Sequence, residues 1–161
     1  MSKKPVVGFI GLGIMGGPMA LNLQRAGYAL VIVDFDPPLP QELIDGGAVV
    51  KASNREVAAA ADIVIIMVPD TPDVEIVLFA DDGVAAGLSD DKTVVDMSSI
   101  SPTATVDFAR RINKLGCDYL DAPVSGGAGR AITGELTIMV GGPQAAFEHI
   151  RPLFEVMGTT I

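Results

Sequence analysis

The sequence predicts an α/β fold: a doubly wound, mainly parallel sheet with helices on both faces. Three observations predict it. Short continuous apolar runs alternate with helix-patterned stretches along the chain. Strands that are apolar at every position are buried on both faces, as parallel strands under crossover helices are. A glycine-rich turn joins the first such run to the first helical stretch. The 161 residues are 49% hydrophobic and 19% charged, which fits one globular domain over 1–161. Aromatics are few and Trp is absent, so the core is aliphatic. No solenoid repeat or low-complexity linker divides the chain.

Val6 to Ile10 reads as a buried strand, followed by the turn and a helix from Met15 to Ala26. Pro18 sits in the first turn of that helix, where its missing N–H loses no intrahelical partner, and Gly27 is the C-cap residue. Leu30 to Val33 is a strand ending at Asp34. The three prolines between Asp36 and Pro40 mark a loop. A short helix through Leu43 and a short strand from Ala48 to Val50 follow. Arg55 to Ala61 is helical, capped by Ser53 or Asn54. Ile63 to Val68 is a strand stopped by Pro69, and Thr93 to Met97 another. A helix from Pro102 to Leu115 leads to a strand from Tyr119 to Ala122, ending at Pro123. Leu136 to Val140 and Thr159 to Ile161 are strands around a helix from Gln144 to Met157. Each parallel crossover is expected to be right-handed.

Twenty acidic residues against eleven Lys and Arg give a net charge of -9. That excludes the basic groove of a nucleic-acid partner and attraction to an anionic membrane surface. No apolar run is long enough to cross a bilayer, and glycines from Gly8 to Gly17 break the apolar start, so it is not a secretory signal. The single cysteine, Cys117, allows no internal disulfide, and a cytoplasmic location is expected.

The turn Gly11-Leu12-Gly13-Ile14-Met15-Gly16 has the GxGxxG spacing in its required setting, after a strand and opening a helix. Gly11 permits the tight turn, Gly13 lets backbone approach a pyrophosphate, and Gly16 lets helix pack on strand. An acidic chain must bind phosphate locally, with aimed N–H groups at a helix N-terminus. Asp34 supplies the acid at the end of the second strand, placed to accept from the adenosine ribose and repel a 2′-phosphate. Phe35 follows it, where NADP enzymes often carry Arg. A Rossmann-type fold binding NAD is expected, with NADP the lesser possibility.

Four ordered segments resemble the β-hydroxyacid dehydrogenase family, which includes 3-hydroxyisobutyrate dehydrogenase and tartronate semialdehyde reductase. They are Gly8 to Gly16, Asp96-Met97-Ser98-Ser99-Ile100-Ser101-Pro102, Asp121-Ala122-Pro123-Val124-Ser125-Gly126-Gly127, and Met139-Val140-Gly141-Gly142. The resemblance implies that Gly11 to Gly16 hold the pyrophosphate, and that Val68 and Pro69 line the adenosine and ribose side. It implies a polar cofactor contact at Asp73 and a place for Ser99 near the nicotinamide ribose. Ser125, Gly126 and Gly127 would bind the carboxylate of a small substrate, in a concavity no side chain blocks. The residues alone leave other roles open: an ordinary turn at 125–127, a helix-start acid at Asp73 and a plain strand end at Val68-Pro69. Arg130 either steers an anionic substrate or is a solvated loop residue.

The family's catalytic lysine lies beyond this domain, and none of Lys3, Lys4, Lys51, Lys92 and Lys114 sits in its glycine- and asparagine-bearing motif. The expected site therefore has no catalytic residue before Ile161, and the family's helical second domain is absent from this chain. Cofactor binding without turnover is expected, along with self-association through an exposed apolar face. A second reading is a non-catalytic dinucleotide-binding or assembly module of the same fold. A glycine-flanked lysine past Ile161 would favour the enzyme, and its replacement the module. Imine reductases and 6-phosphogluconate dehydrogenase have related amino-terminal domains. His149 reads as a surface residue, Cys117 as packing, and Asp81-Asp82 and Asp90-Asp91 as solvated turns rather than metal ligands.

Overall fold

The computed structural model describes residues 3–33 and 38–161. Six strands form one wholly parallel sheet: β1 (Val7–Ile10), β2 (Leu30–Val33), β3 (Val49–Lys51), β4 (Ile63–Ile66), β5 (Thr93–Asp96) and β6 (Asp118–Asp121). Their order is β3-β2-β1-β4-β5-β6. The chain winds outward from β1 to β3, then crosses back to β4 on the other side of β1. The carboxyl ends of β1 and β4 therefore flank a topological switch point, where open α/β sheets bind ligands.

All residues of β1, β2, β4 and β5 are buried, as the unbroken apolar sequences of β1, β2 and β4 predict; β5 also buries Thr93 and Asp96 at its ends. Alternation sends Val7, Phe9, Ile32, Ile63, Ile65 and Val95 into one core. There they meet Met19 and Leu23 of α1 (Gly16–Arg25) and Leu43 of α2 (Gln41–Asp45). Ile10, Val31, Val33, Val64, Ile66 and Val94 enter the other core. It is closed by α3 (Asn54–Ala60), α4 (Thr71–Phe79), α5 (Val84–Gly87) and α6 (Pro102–Asn113). Ser53 caps α3, accepting from Glu56 N at 3.2 Å.

The structure adds what the sequence reading lacks. Between Pro69 and Thr93, where that reading has no element, lie α4 and α5. The strands near the C-terminus leave the main sheet. Here β7 (Val124–Ser125), β8 (Leu136–Ile138) and β9 (Gly158–Thr160) form a second sheet, antiparallel between β7 and β8. Two helices frame it, α7 (Gly127–Thr133) and α8 (Gln144–Met157). A bridge between Asp121 and Gly141 ties it to the edge strand β6. No described helix is long and apolar enough to cross a membrane.

Candidate functional site

A cavity of about 750 Å³ opens at the switch point, within the usual range for small-molecule sites. The turn after β1 supplies Gly11, Leu12, Gly13, Ile14, Met15 and Gly16. The end of β4 supplies Met67, Val68 and Pro69, α4 supplies Asp73, Ile76 and Val77, and the loop after β5 supplies Ser99. Val33 and Leu39 complete the lining. Every residue expected from sequence to contact a cofactor lines this cavity, except Asp34, which lies outside the described residues.

The three glycines of the turn have different reasons. Gly11 has φ +99°, and a Cβ there would lie 2.0 Å from the Met67 carbonyl oxygen. A Cβ on Gly16 would lie 1.7 Å from the Gly11 carbonyl oxygen. These two are required by the protein's own backbone. Gly13 is not: its Cβ would meet nothing within 4 Å and its φ is not positive. A Cβ at Gly13 would stand in open space, and Gly13 lines the cavity just before α1 begins. Neither a side-chain cap nor a first-turn acid competes for that end of α1, and among the described residues no Lys or Arg lines the cavity. Anion binding there falls to backbone N–H groups and the helix dipole. The donors and the cleared space fit a dinucleotide pyrophosphate.

Asp73 lines the cavity and also has a structural task. Its carboxylate accepts the Asp70 N–H at 3.1 Å, while Asp70 accepts Thr71 N–H at 2.7 Å, forming the cap of α4. Ser125, Gly126 and Gly127 are exposed and are not among the residues lining the cavity. Their backbone is left-handed at Gly126 (φ +137°) and Gly127 (φ +70°), a bend that glycine makes without strain. The aliphatic stem of Arg130 lies over Gly126, 2.8 Å from where a Cβ would stand.

Beneath the cavity lies a polar cluster that sequence reasoning missed. Asp96, at the end of β5, is 0% exposed. Its Oδ1 accepts the Ser98 N–H at 3.0 Å and its Oδ2 accepts the Tyr119 hydroxyl at 3.2 Å. Ser98 Oγ in turn accepts the Val68 N–H at 3.0 Å. Burial raises the Asp96 carboxyl to about 6, against the hydrogen bonds that favour its ionised form. Burial also raises Tyr119 and Asp121, the latter being the register partner of Asp96 on β6. The available signal was an acid closing the apolar run Thr93-Val94-Val95. His149 is exposed on α8, Cys117 is buried with its thiol on the Ser89 carbonyl, and no metal-binding cluster exists among the described residues.

Residues 6–161 match the family described as the NAD binding domain of 6-phosphogluconate dehydrogenase. The chain is 56% identical over 155 residues to 2-hydroxy-3-oxopropionate reductase of Escherichia coli strain K12, covering 96% of this chain and 53% of that protein. It is 39% identical over 161 residues to mitochondrial 3-hydroxyisobutyrate dehydrogenase of Mus musculus, covering 100% of this chain and 48% of that one. Among solved structures, 3-hydroxyisobutyrate dehydrogenase of Mycobacterium tuberculosis with L-serine superposes with a TM-score of 0.89 at 34% identity, over 99% of this chain and 54% of that chain. The chain thus spans about half the length of the relatives it matches. The expected resemblance and Rossmann-type fold are borne out.

Proposed function

The chain belongs to the family of NAD-binding domains described for 6-phosphogluconate dehydrogenase, and from that membership we propose the activity of the whole protein. It transfers hydride between the nicotinamide cofactor and a small 3-hydroxy acid or semialdehyde, of the tartronate semialdehyde or 3-hydroxyisobutyrate type. The observation that carries the reading is Gly13, a glycine that the fold itself does not need, lining the cavity with open space where a side chain would stand, just before α1 begins. The activities named for the relatives support the substrate class.

The cofactor supplies the hydride chemistry and the protein supplies binding and orientation. Backbone N–H groups of Gly11 to Gly16 hold the pyrophosphate. Asp34 accepts the adenosine ribose hydroxyls and favours NAD over NADP. Val68 and Pro69 line the adenosine side, Asp73 gives a polar contact and Ser99 meets the nicotinamide ribose. Ser125, Gly126 and Gly127 hold the substrate carboxylate. The acid–base lysine stands beyond Ile161, on a helical second domain, and exchanges the alcohol proton. These 161 residues alone bind cofactor without turnover. They self-associate through exposed apolar side chains such as Ile132 and Met139, and the protein works in the cytoplasm.

Fluorescence titration with NADH and NADPH side by side tests the reading, with a tartronate semialdehyde reduction assay on the same sample. NADH is expected to bind more tightly, with no appreciable turnover. NADPH binding as tightly would overturn the role of Asp34. Appreciable reduction would overturn the placement of the lysine, and binding of neither nucleotide would overturn the whole proposal. Light scattering that finds a strict monomer at high concentration would overturn self-association.

A further inference from the structure

We propose that Asp96 is a positioning residue for the dinucleotide, acting through Ser98 to hold two walls of the cavity, Val68-Pro69 and Ser99, at a fixed separation. This rests on the reading of the cavity as a dinucleotide site.

A fully buried carboxylate at the end of an apolar strand is costly, and an apolar residue there would bury at less expense. The hydrogen-bond pattern shows what the acid does. The last backbone bond between β4 and the end of β5 runs from Met97 N to the Ile66 carbonyl, at 2.8 Å. Past it, the loops after β4 and β5 diverge and share no backbone–backbone bond among the described residues. Two side chains join them instead. Thr71 Oγ1 accepts the Ser101 N–H at 3.0 Å, away from the cavity lining. Ser98 Oγ accepts the Val68 N–H at 3.0 Å, and here Val68 and Ser99, next to Ser98, both line the cavity.

Ser98 has 0% exposure. One Asp96 oxygen takes the Ser98 N–H and the other takes the Tyr119 hydroxyl of β6. The carboxylate thus fixes the Ser98 backbone and is itself held from the neighbouring strand. The chain of bonds runs from β6 through Asp96 and Ser98 to Val68. Release of any link lets the two walls move relative to each other without removing an atom that touches the cofactor.

The test uses the 161-residue chain, with NADH affinity read by fluorescence and thermal stability read on the same samples. Ser98→Ala deletes the acceptor of the Val68 N–H. Tyr119→Phe removes one oxygen and keeps the ring, so it retains the packing if Ser98→Ala folds poorly. Ile112→Val thins the core of α6 without lining the cavity and sets the cost of destabilisation alone. Ser98→Ala is expected to weaken NADH about tenfold and Tyr119→Phe about threefold, with Ile112→Val unchanged at a comparable loss of melting temperature. Restoring a hydroxyl with Ser98→Thr should recover affinity. The proposal is overturned if Ser98→Ala and Tyr119→Phe melt earlier yet bind NADH within about twofold of wild type. Failure of the dinucleotide reading looks different: wild type itself then binds neither NADH nor NADPH.

Discussion

A methyl group added at Gly13 or at Gly16 separates binding from folding within one turn. At Gly13 it meets no protein atom and the backbone is unstrained. Gly13→Ala should therefore leave stability within about 0.5 kcal/mol of wild type and weaken NADH at least about tenfold. At Gly16 the same methyl collides with the Gly11 carbonyl oxygen, and overpacking of that kind costs roughly 1–3 kcal/mol or more. Urea unfolding and NADH titration on both variants check the contrast, and a Gly13→Ala protein that binds normally would remove the main support for the site.

The buried acid Asp96 gives a second residue-scale prediction, in pH. Its folded carboxyl is raised by burial from 3.8 to about 6. Between those values the folded state holds more protons than the unfolded state, so stability falls as pH rises from about 4 to 6. Above that window the penalty is constant, at roughly 3 kcal/mol. Asp96→Asn does not titrate. Wild type should lose stability relative to that variant as pH rises through the window, measured by urea unfolding at several pH values. A difference that stays flat with pH would contradict the raised carboxyl.

At the scale of elements, two acids at the N-terminus of α4 have different tasks. Asp70 caps the helix, and Asp73 both completes the cap and lines the cavity. Each change to Ala should cost about 1 kcal/mol of stability. Only Asp73→Ala should also weaken NADH, and equal affinities in the two variants would reduce Asp73 to a cap. This helix shows why the sequence was only partly legible. The buried strands β1, β2 and β4 announce themselves because they carry no polar side chain, and β5 by its central Val94-Val95. The helix α8 does so because Ala146, Ile150, Leu153, Phe154 and Met157 repeat along one face. In α4, exposed Ile76 adds an apolar residue outside the buried set Val74, Val77 and Leu78, so no polar face marks a helix. The seven-residue α7 contains Gly127 and Gly129, poor helix formers, and β7 has two residues, too few for a pattern. The site was legible where chemistry fixes spacing, in Gly11 to Gly16. It was not legible in the Asp96, Ser98 and Tyr119 cluster, because Tyr119 meets Asp96 only when β5 and β6 pair, and Ser98 meets Val68 only when β4 and β5 pair.

At the scale of the whole molecule, the two sheets share one core. The cluster that holds Phe9, Ile63 and Val95 of the main sheet also holds Leu136 and Ile138 of β8 and Phe154 of α8. Asn22 of α1 donates to the Ala131 carbonyl at 2.9 Å, closing the end of α7 onto the same side. The segment bearing Ser125, Gly126 and Gly127 is thereby tied to the helix whose N-terminus faces the cavity, as the proposed orientation of a substrate against a cofactor requires. This coupling predicts one cooperative unfolding transition. Phe154 is 0% exposed and stacks on Phe147 at 6.2 Å, so Phe154→Ala should cost about 3–5 kcal/mol. With no Trp present, Tyr28 in the shared core and Tyr119 in the core on the other face of the main sheet provide the fluorescence. Far-ultraviolet circular dichroism reports both sheets. The two signals should shift together in Phe154→Ala, although the substitution lies in α8. A tyrosine transition that stays at its wild-type midpoint while part of the dichroism is lost early would mean that the second sheet folds separately and cannot hold the proposed substrate segment, 125–127, against the main sheet.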